Sequence, residues 1–243
     1  EKRNIPVELY LNKERVGQIV SHFQPERSKE FLFQVYPGKS GVIRGKLEIP
    51  RDDYALDDHQ TFELTIPAQI ACKVIANSQE DLFILRTILK SISGKDRFLD
   101  IELKVMGRID RVYLEETDVL ILQDPKYLSA SAIESMKRFL GEGGSILWFA
   151  GKNSENIDSI TSSNLKLPEF IKRVELEGES YFSVEVQDRD NPILQELNLR
   201  DINSALPQVF IYNSVEKQSY QKMILSLNNG DPFLIEIPHS GSQ

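Results

Sequence analysis

The stretch that decides the fold runs from residue 118 to residue 150. It reads Asp118-Val119-Leu120-Ile121-Leu122-Gln123, then a periodic segment, then Gly141-Glu142-Gly143-Gly144-Ser145-Ile146-Leu147-Trp148-Phe149-Ala150. The first run is apolar enough to be a strand buried on both faces. Ser129 or Ser131 then caps a helix through Leu140, with Ile133, Met136, Phe139 and Leu140 inward. The glycines follow that helix and precede the strand Ser145–Ala150, so they read as a helix C-terminus. A phosphate cradle would need them to run into a helix start instead. Upstream the rhythm repeats. Ile70–Ala76 is a short apolar strand, and Ser78 with Asp81 three residues on is a helix start. The helix is expected over Gln79 to Ser91, with Leu82, Leu85, Ile88 and Leu89 on one face, stopping before Gly94. Leu99–Val105 is the next strand. Such alternation calls for a parallel sheet with helices on its faces.

Before Pro67 the period changes to two. Val7, Leu9 and Leu11 alternate with Glu8, Tyr10 and Asn12, and strands are expected at Val16–Val20, Phe31–Val35, Val42–Ile49 and Phe62–Ile66. Turns are read at Asn12-Lys13, Pro25-Glu26, Pro37-Gly38, Asp52-Asp53 and Asp57-Asp58. Short strands at this spacing suggest an all-β sandwich. The domains are therefore 1–67 and 68–243. After the second domain's sheet, Asn153–Leu167 is rich in Ser and Asn and is expected to be a mobile loop or lid. Further strands are expected at Tyr181–Val186, Val209–Tyr212 and Phe233–Ile237, with a short helix near Pro192–Leu197.

With 243 residues, the chain can bury roughly 70–75% of its unfolded surface. Lys and Arg number 29 and Asp and Glu 37, a net charge of −8, which argues against a broad nucleic-acid surface. The first 67 residues carry 10 basic and 11 acidic groups, and the rest 19 and 26, so the acidity lies in the α/β part. One Cys excludes an internal disulfide, and three scattered His leave little for a zinc site. No apolar run approaches ~18 residues, as a spanning helix would need. The start at Glu1 and the finish Ile235-Glu236-Ile237-Pro238-His239-Ser240-Gly241-Ser242-Gln243 read as interrupted. We expect a piece of a longer protein. Truncation of the second domain at its C-terminus is expected to leave a sheet edge unpaired.

The segment Ile49-Pro50-Arg51-Asp52-Asp53-Tyr54-Ala55-Leu56-Asp57-Asp58-His59-Gln60-Thr61-Phe62 resembles a recurring stretch of bacterial BatA-type (aerotolerance-regulator) membrane proteins. There a strand module ends in D-x-L-x-x-D-N; here Asp58-His59 stands for Asp-Asn. Asp118–Leu122 and Leu140–Leu147 resemble the glutamine-amidotransferase-like domain of some of those proteins. Asp190-Asn191-Pro192-Ile193-Leu194 is similar to their D-H-P-I-F, and Asn229-Gly230-Asp231-Pro232-Phe233-Leu234 to their D-G-x-P-L-L. The resemblance implies an Ig-like β-sandwich followed by a class I glutamine-amidotransferase-like, flavodoxin-like three-layer domain. It also implies membrane spans on either side and an extracytoplasmic, periplasmic location. In the amidotransferase-like fold the strand after the Gly-rich helix end delivers a nucleophile in a G-x-C-x-G turn. Here that place holds Leu147-Trp148-Phe149-Ala150-Gly151, with Phe149 at the Cys position. The family's His-x-Glu pair is replaced by His239-Ser240-Gly241. The resemblance thus implies the fold and argues against amidase chemistry, and no catalytic residue is assigned.

Each remaining candidate has a plainer reading. Cys72 sits mid-strand, where a small buried hydrophobe is expected. His22 and His59 read as exposed strand or turn residues. Asp52, Asp53, Asp57 and Asp58 could hold a hard cation, but the EF-hand spacing is absent and a solvated turn is the expectation. Asp118-Val119-Leu120 lacks the serines of the D-x-S-x-S adhesion motif. Glu115-Glu116-Thr117-Asp118 reads as loop acidity, and Trp148 as core. Open α/β sheets bind ligands beyond the carboxyl ends of their strands. That rule makes Asn77, Asp124, Lys152 and Asn153 the candidate small-molecule crevice. No cofactor and no metal are expected. The expected role is a non-catalytic scaffold that binds protein partners, with Phe149 packed in the core. Its rivals are a hydrolase or transferase using Asp124, and a sensor binding a sugar or peptide under the Asn153–Leu167 segment.

Overall fold

The computed structural model describes residues 4–24, 27–33, 35, 39–51, 58–93, 98–105, 109–178, 180–189, 191–195 and 206–239. The turns expected at Pro25-Glu26 and Pro37-Gly38, the acidic Asp52, Asp53 and Asp57, and Gly94 and Asp190 lie outside the described residues. The chain divides into two compact units, Glu1–Ala68 and Gln69–Gln243.

In the second unit the quoted stretch forms β7 (Val119–Gln123), α3 (Ala130–Gly141) and β8 (Ser145–Phe149). Ser129 is the N-cap, its hydroxyl accepting from Ala132 N at 3.2 Å. Before them come β5 (Ile70–Ala76), α1 (Gln79–Ser93), β6 (Leu99–Val105) and the single turn α2 (Arg111–Leu114). Ser78 and Asp81 close the start of α1, Ser78 Oγ accepting from Asp81 N and donating to its carboxylate. The four strands are parallel in the order β6-β5-β7-β8. The two faces hold different cores. One is Cys72, Val74, Ala76 and Ile121 under Leu82, Leu85 and Leu89 of α1. The other joins Ile75, Leu120 and Leu122 to Leu114 of α2 and to Ile133, Met136 and Phe139 of α3. Ile88 departs from expectation: it is 49% exposed. The buried line is Leu82, Leu85, Leu89. Ile84, Ile88 and Ile92 form a separate i, i+4, i+8 stripe that stays outside it.

The polar segment expected as a loop or lid is helical instead. Ser154–Asn156 is a 3-10 turn and α4 runs from Ser159 to Asn164. Asp158 caps α4 by accepting from Thr161 N at 2.7 Å. Ser and Asn disfavour a helix interior, but Thr161 and Leu165 are buried, Leu165 within the α3 core. Packing, not propensity, holds this segment.

The unit continues with β9 (Glu169–Glu175), β10 (Phe182–Val186), the short α5 (Pro192–Gln195), β11 (Gln208–Val209), β12 (Ile211–Glu216), β13 (Lys222–Leu227) and β14 (Pro232–Glu236). β9 pairs with β12, and a separate antiparallel sheet runs β11-β10-β13-β14. Val184, Leu194, Val209, Ile224, Leu225 and Leu227 form its core.

The first unit is a four-stranded antiparallel sheet, β2-β1-β3-β4. Its strands are Asn4–Leu11, Glu14–His22, Gly41–Glu48 and His59–Ile66 in chain order. Asn12 and Lys13 turn β1 into β2 with φ of 48° and 76°, the left-handed pair a two-residue hairpin needs. Val7, Leu9, Leu11 and Ile43 are buried. The strand expected at Phe31–Val35 does not form among its described residues. Phe33 instead packs against Gly17, where a Cβ would lie 2.9 Å from its ring. Phe31 lies 5.7 Å from Phe23, ring centre to ring centre. The aromatic alternation serves packing against a sheet rather than pairing within one. Among the described residues this unit holds one sheet, not two facing each other.

Candidate functional site

The chain passes from β5 to β6 on one side, then returns to β7 on the other. The direction reverses between β5 and β7, where a ligand crevice is expected in an open α/β sheet. Asn77 follows β5, Asp124 follows β7, and Gly151-Lys152-Asn153 follow β8. Three of the four expected crevice residues meet there. Asp124 has a φ of 42°, a left-handed conformation that Asp tolerates better than most residues. Its carboxylate accepts from Asn153 N at 3.0 Å and from Asn153 Nδ2 at 2.8 Å. Its carbonyl accepts from Asn77 Nδ2 at 2.5 Å and from Asn153 Nδ2 at 3.0 Å. Asn77 Oδ1 in turn accepts from Lys126 N at 3.2 Å. Lys152 is exposed and takes no part.

Gly151 is required by this arrangement. A Cβ there would stand 2.5 Å from Asp124 Cγ and 2.6 Å from Asp124 Oδ2. Its carbonyl accepts from Asn213 Nδ2 of β12 at 2.8 Å. Asn213 is a member that sequence reasoning missed, since 62 residues separate it from Gly151. The network therefore ties the ends of β5, β7 and β8 to the β9–β12 ribbon. Chemically it is a carboxylate held by amide donors. Neither Lys nor Ser hydroxyl bonds to Asp124 among the described residues.

Beside it, Pro125–Leu128 and Asn156–Thr161 enclose a cavity of about 20 Å³. That is room for about one water, far below the ~300 Å³ at which ligand pockets begin. Ser154 is buried, and its hydroxyl has no partner among the described residues.

Phe149 is 40% exposed and Leu147 41%, against the expectation of a packed Phe149. Both lie on the α1 side of the sheet, outside the core that α1 forms over β5, β6 and β7. Trp148 points the other way and packs on the α3 core, as expected. Cys72 is buried, and burial pushes its thiol up, away from the reactive thiolate. His22 is half-buried in β2 and His59 exposed at the start of β4. Burial, then the charge of Lys166, holds the His239 imidazole below its ordinary value, partly offset by a hydrogen bond with Leu165. Asp58 is buried. Asp118 Oδ2 accepts from Ala71 N at 2.8 Å, a structural use. Among the described residues no three His, Cys, Asp or Glu stand close enough to hold a metal ion. No helix there is long and apolar enough to cross a membrane. A second polar cluster lies on the α2 side. Lys73 and Lys104 stand 4.6 Å and 4.3 Å from the Tyr113 ring centre. Lys73 Nζ also donates to Tyr113 O. The Tyr113 hydroxyl is buried and unpartnered. Burial, then Glu102, pushes it up to about 12.

No protein-family model matches the chain, and no curated protein matches it by sequence. Solved structures do. A cytoplasmic protein of Salmonella typhimurium LT2 is similar at 14% identity and a TM-score of 0.50, covering 68% of this chain and 82% of that one. A second cytoplasmic protein of Salmonella typhimurium has 14% identity and a TM-score of 0.46, covering 68% and 81%. A protein of Bacteroides uniformis described as ThuA-like has 15% identity and a TM-score of 0.46, covering 67% and 69%. At such identity the likeness is one of fold alone. That fold is the class I glutamine-amidotransferase-like one, with mixed sheets and helices.

Proposed function

We propose that the chain is a non-catalytic scaffold that binds protein partners, the soluble portion of a membrane-anchored bacterial protein of BatA type. The anchoring, the periplasmic side and the Ig-like kinship of the first unit rest on the order of the sequence motifs. The observation that carries the non-catalytic reading is the state of Asp124. Asn153 donates to both oxygens of its carboxylate, Gly151 packs against it, and Phe149 stands at the position of the resembled family's nucleophile. A carboxylate engaged in this way holds strand ends together, and it does not line the water-sized cavity beside it.

The test is Asp124→Asn, which keeps the shape but sets an NH₂ group against Asn153 Nδ2. A structural role predicts a stability loss of about 1–3 kcal/mol in denaturant titration. A catalytic carboxylate held for function predicts unchanged or raised stability, in which case the hydrolase reading prevails. A metabolite panel followed by thermal shift checks the sensor reading. A true ligand at 100 times its Kd adds about 2.7 kcal/mol, and any such shift would replace the scaffold with a sensor.

A further inference from the structure

We infer that the outer edge of β8 pairs with the same edge of a second copy of this chain, joining two parallel sheets into one. This stands independently of the scaffold reading. Three observations carry it. First, β8 ends the order β6-β5-β7-β8, and among the described residues no strand pairs with its outer side. Second, the edge is unguarded. Ser145-Ile146-Leu147-Trp148-Phe149 contains no charge, no Pro and no bulge, whereas edge strands are ordinarily blunted by such features. Leu147 and Phe149 on it are left 41% and 40% exposed.

Third, the strand is complementary to itself. Ser145 N donates to Asp118 O, and Phe149 O accepts from Asp124 N. Residues 145, 147 and 149 therefore direct their backbone groups at β7, and Ile146 and Trp148 direct theirs outward. With a two-fold axis at Leu147, an antiparallel partner sets Ile146 opposite the second copy's Trp148. Those are the two residues of β8 whose outward backbone groups have no partner among the described residues, and each pair can exchange both N–H···O bonds. Leu147 then meets its own copy as a non-hydrogen-bonded pair, where side chains approach most closely. Ser145, small, faces Phe149, large. The contact is isologous and closes on itself as a dimer.

The test uses the full 243-residue chain in sedimentation equilibrium. The expected result is a concentration-dependent dimer. Leu147→Lys sets like charges directly opposite at the axis and should weaken it roughly tenfold or more. Circular dichroism should stay unchanged, because Leu147 is outside the core. Leu147→Cys should form an intermolecular disulfide under mild oxidation, since Cβ atoms of such pairs lie about 4.5–5.5 Å apart, close to disulfide spacing. Ser145→Cys and Phe149→Cys should crosslink when mixed and not when alone, which fixes the register. A monomer at all concentrations would overturn the inference. So would a dimer that is indifferent to Leu147→Lys and fails to crosslink through Leu147→Cys.

Discussion

Asp124 follows β7 directly, and its carboxylate takes hydrogen bonds from Asn153. Its position after an apolar strand put it at the strand-end crevice, with Asn77 and Asn153. The Asn153 amide bonds to that carboxylate, and no periodicity announces such a contact. Gly151 carried a faint signal, being a glycine directly after a strand, which often marks close backbone approach. Tyr113 carried none. Its hydroxyl is enclosed because α2 lays the ring between Lys73 and Lys104. The neutral phenol is thereby favoured in the folded state, with its pKa raised from 10.0 to about 12. The sign follows: Tyr113 contributes stability that is fully present below pH 10 and is lost as pH rises toward 12. Phenolate absorbance should contain a late component titrating near 12 that Tyr113→Phe removes. An unchanged titration curve in that variant would show that the hydroxyl is solvated.

At the scale of elements, strong patterns decided existence and type. β5, β6, β7, α3 and β8 fall within a residue or so of where the sequence places them, because their apolar rhythm and caps agree. Two elements escaped. The Ser- and Asn-rich segment forms a 3-10 turn and α4 because Thr161 and Leu165 are buried, and burial overrides weak propensity. Phe31–Val35 alternates like a strand but supplies rings to a sheet already formed. The α1 face was legible to within one residue. Leu85→Ala is expected to cost about 2–5 kcal/mol as a core truncation. Ile88→Ala should cost under about 1 kcal/mol, since little burial is lost there. Equal losses in denaturant titration would place Ile88 in the core after all.

For the whole molecule, the change of period at Pro67 separates two units with their own cores. Val7, Leu9, Leu11 and Ile43 serve the first; Met136 and its neighbours serve the second. A unit of this size holding few buried side chains is marginal, and the larger one is not. Calorimetry should therefore show two transitions, the lower moved by Leu9→Ala and the upper by Met136→Ala. A single transition with equal calorimetric and van't Hoff enthalpies would mean that the units melt as one.

The sequence by itself determined the parallel α/β sheet, its helices and the turn at Asn12-Lys13. These depend on local periodicity, turn chemistry and residue identity, which are written along the chain. Only the tertiary structure decided that Asp124 is bound by Asn153, that Asn213 reaches Gly151, and that Leu147 and Phe149 are partly exposed on a strand that ends its sheet among the described residues. Such contacts join residues tens of positions apart. They depend on which face each element covers, and a one-dimensional pattern does not record that.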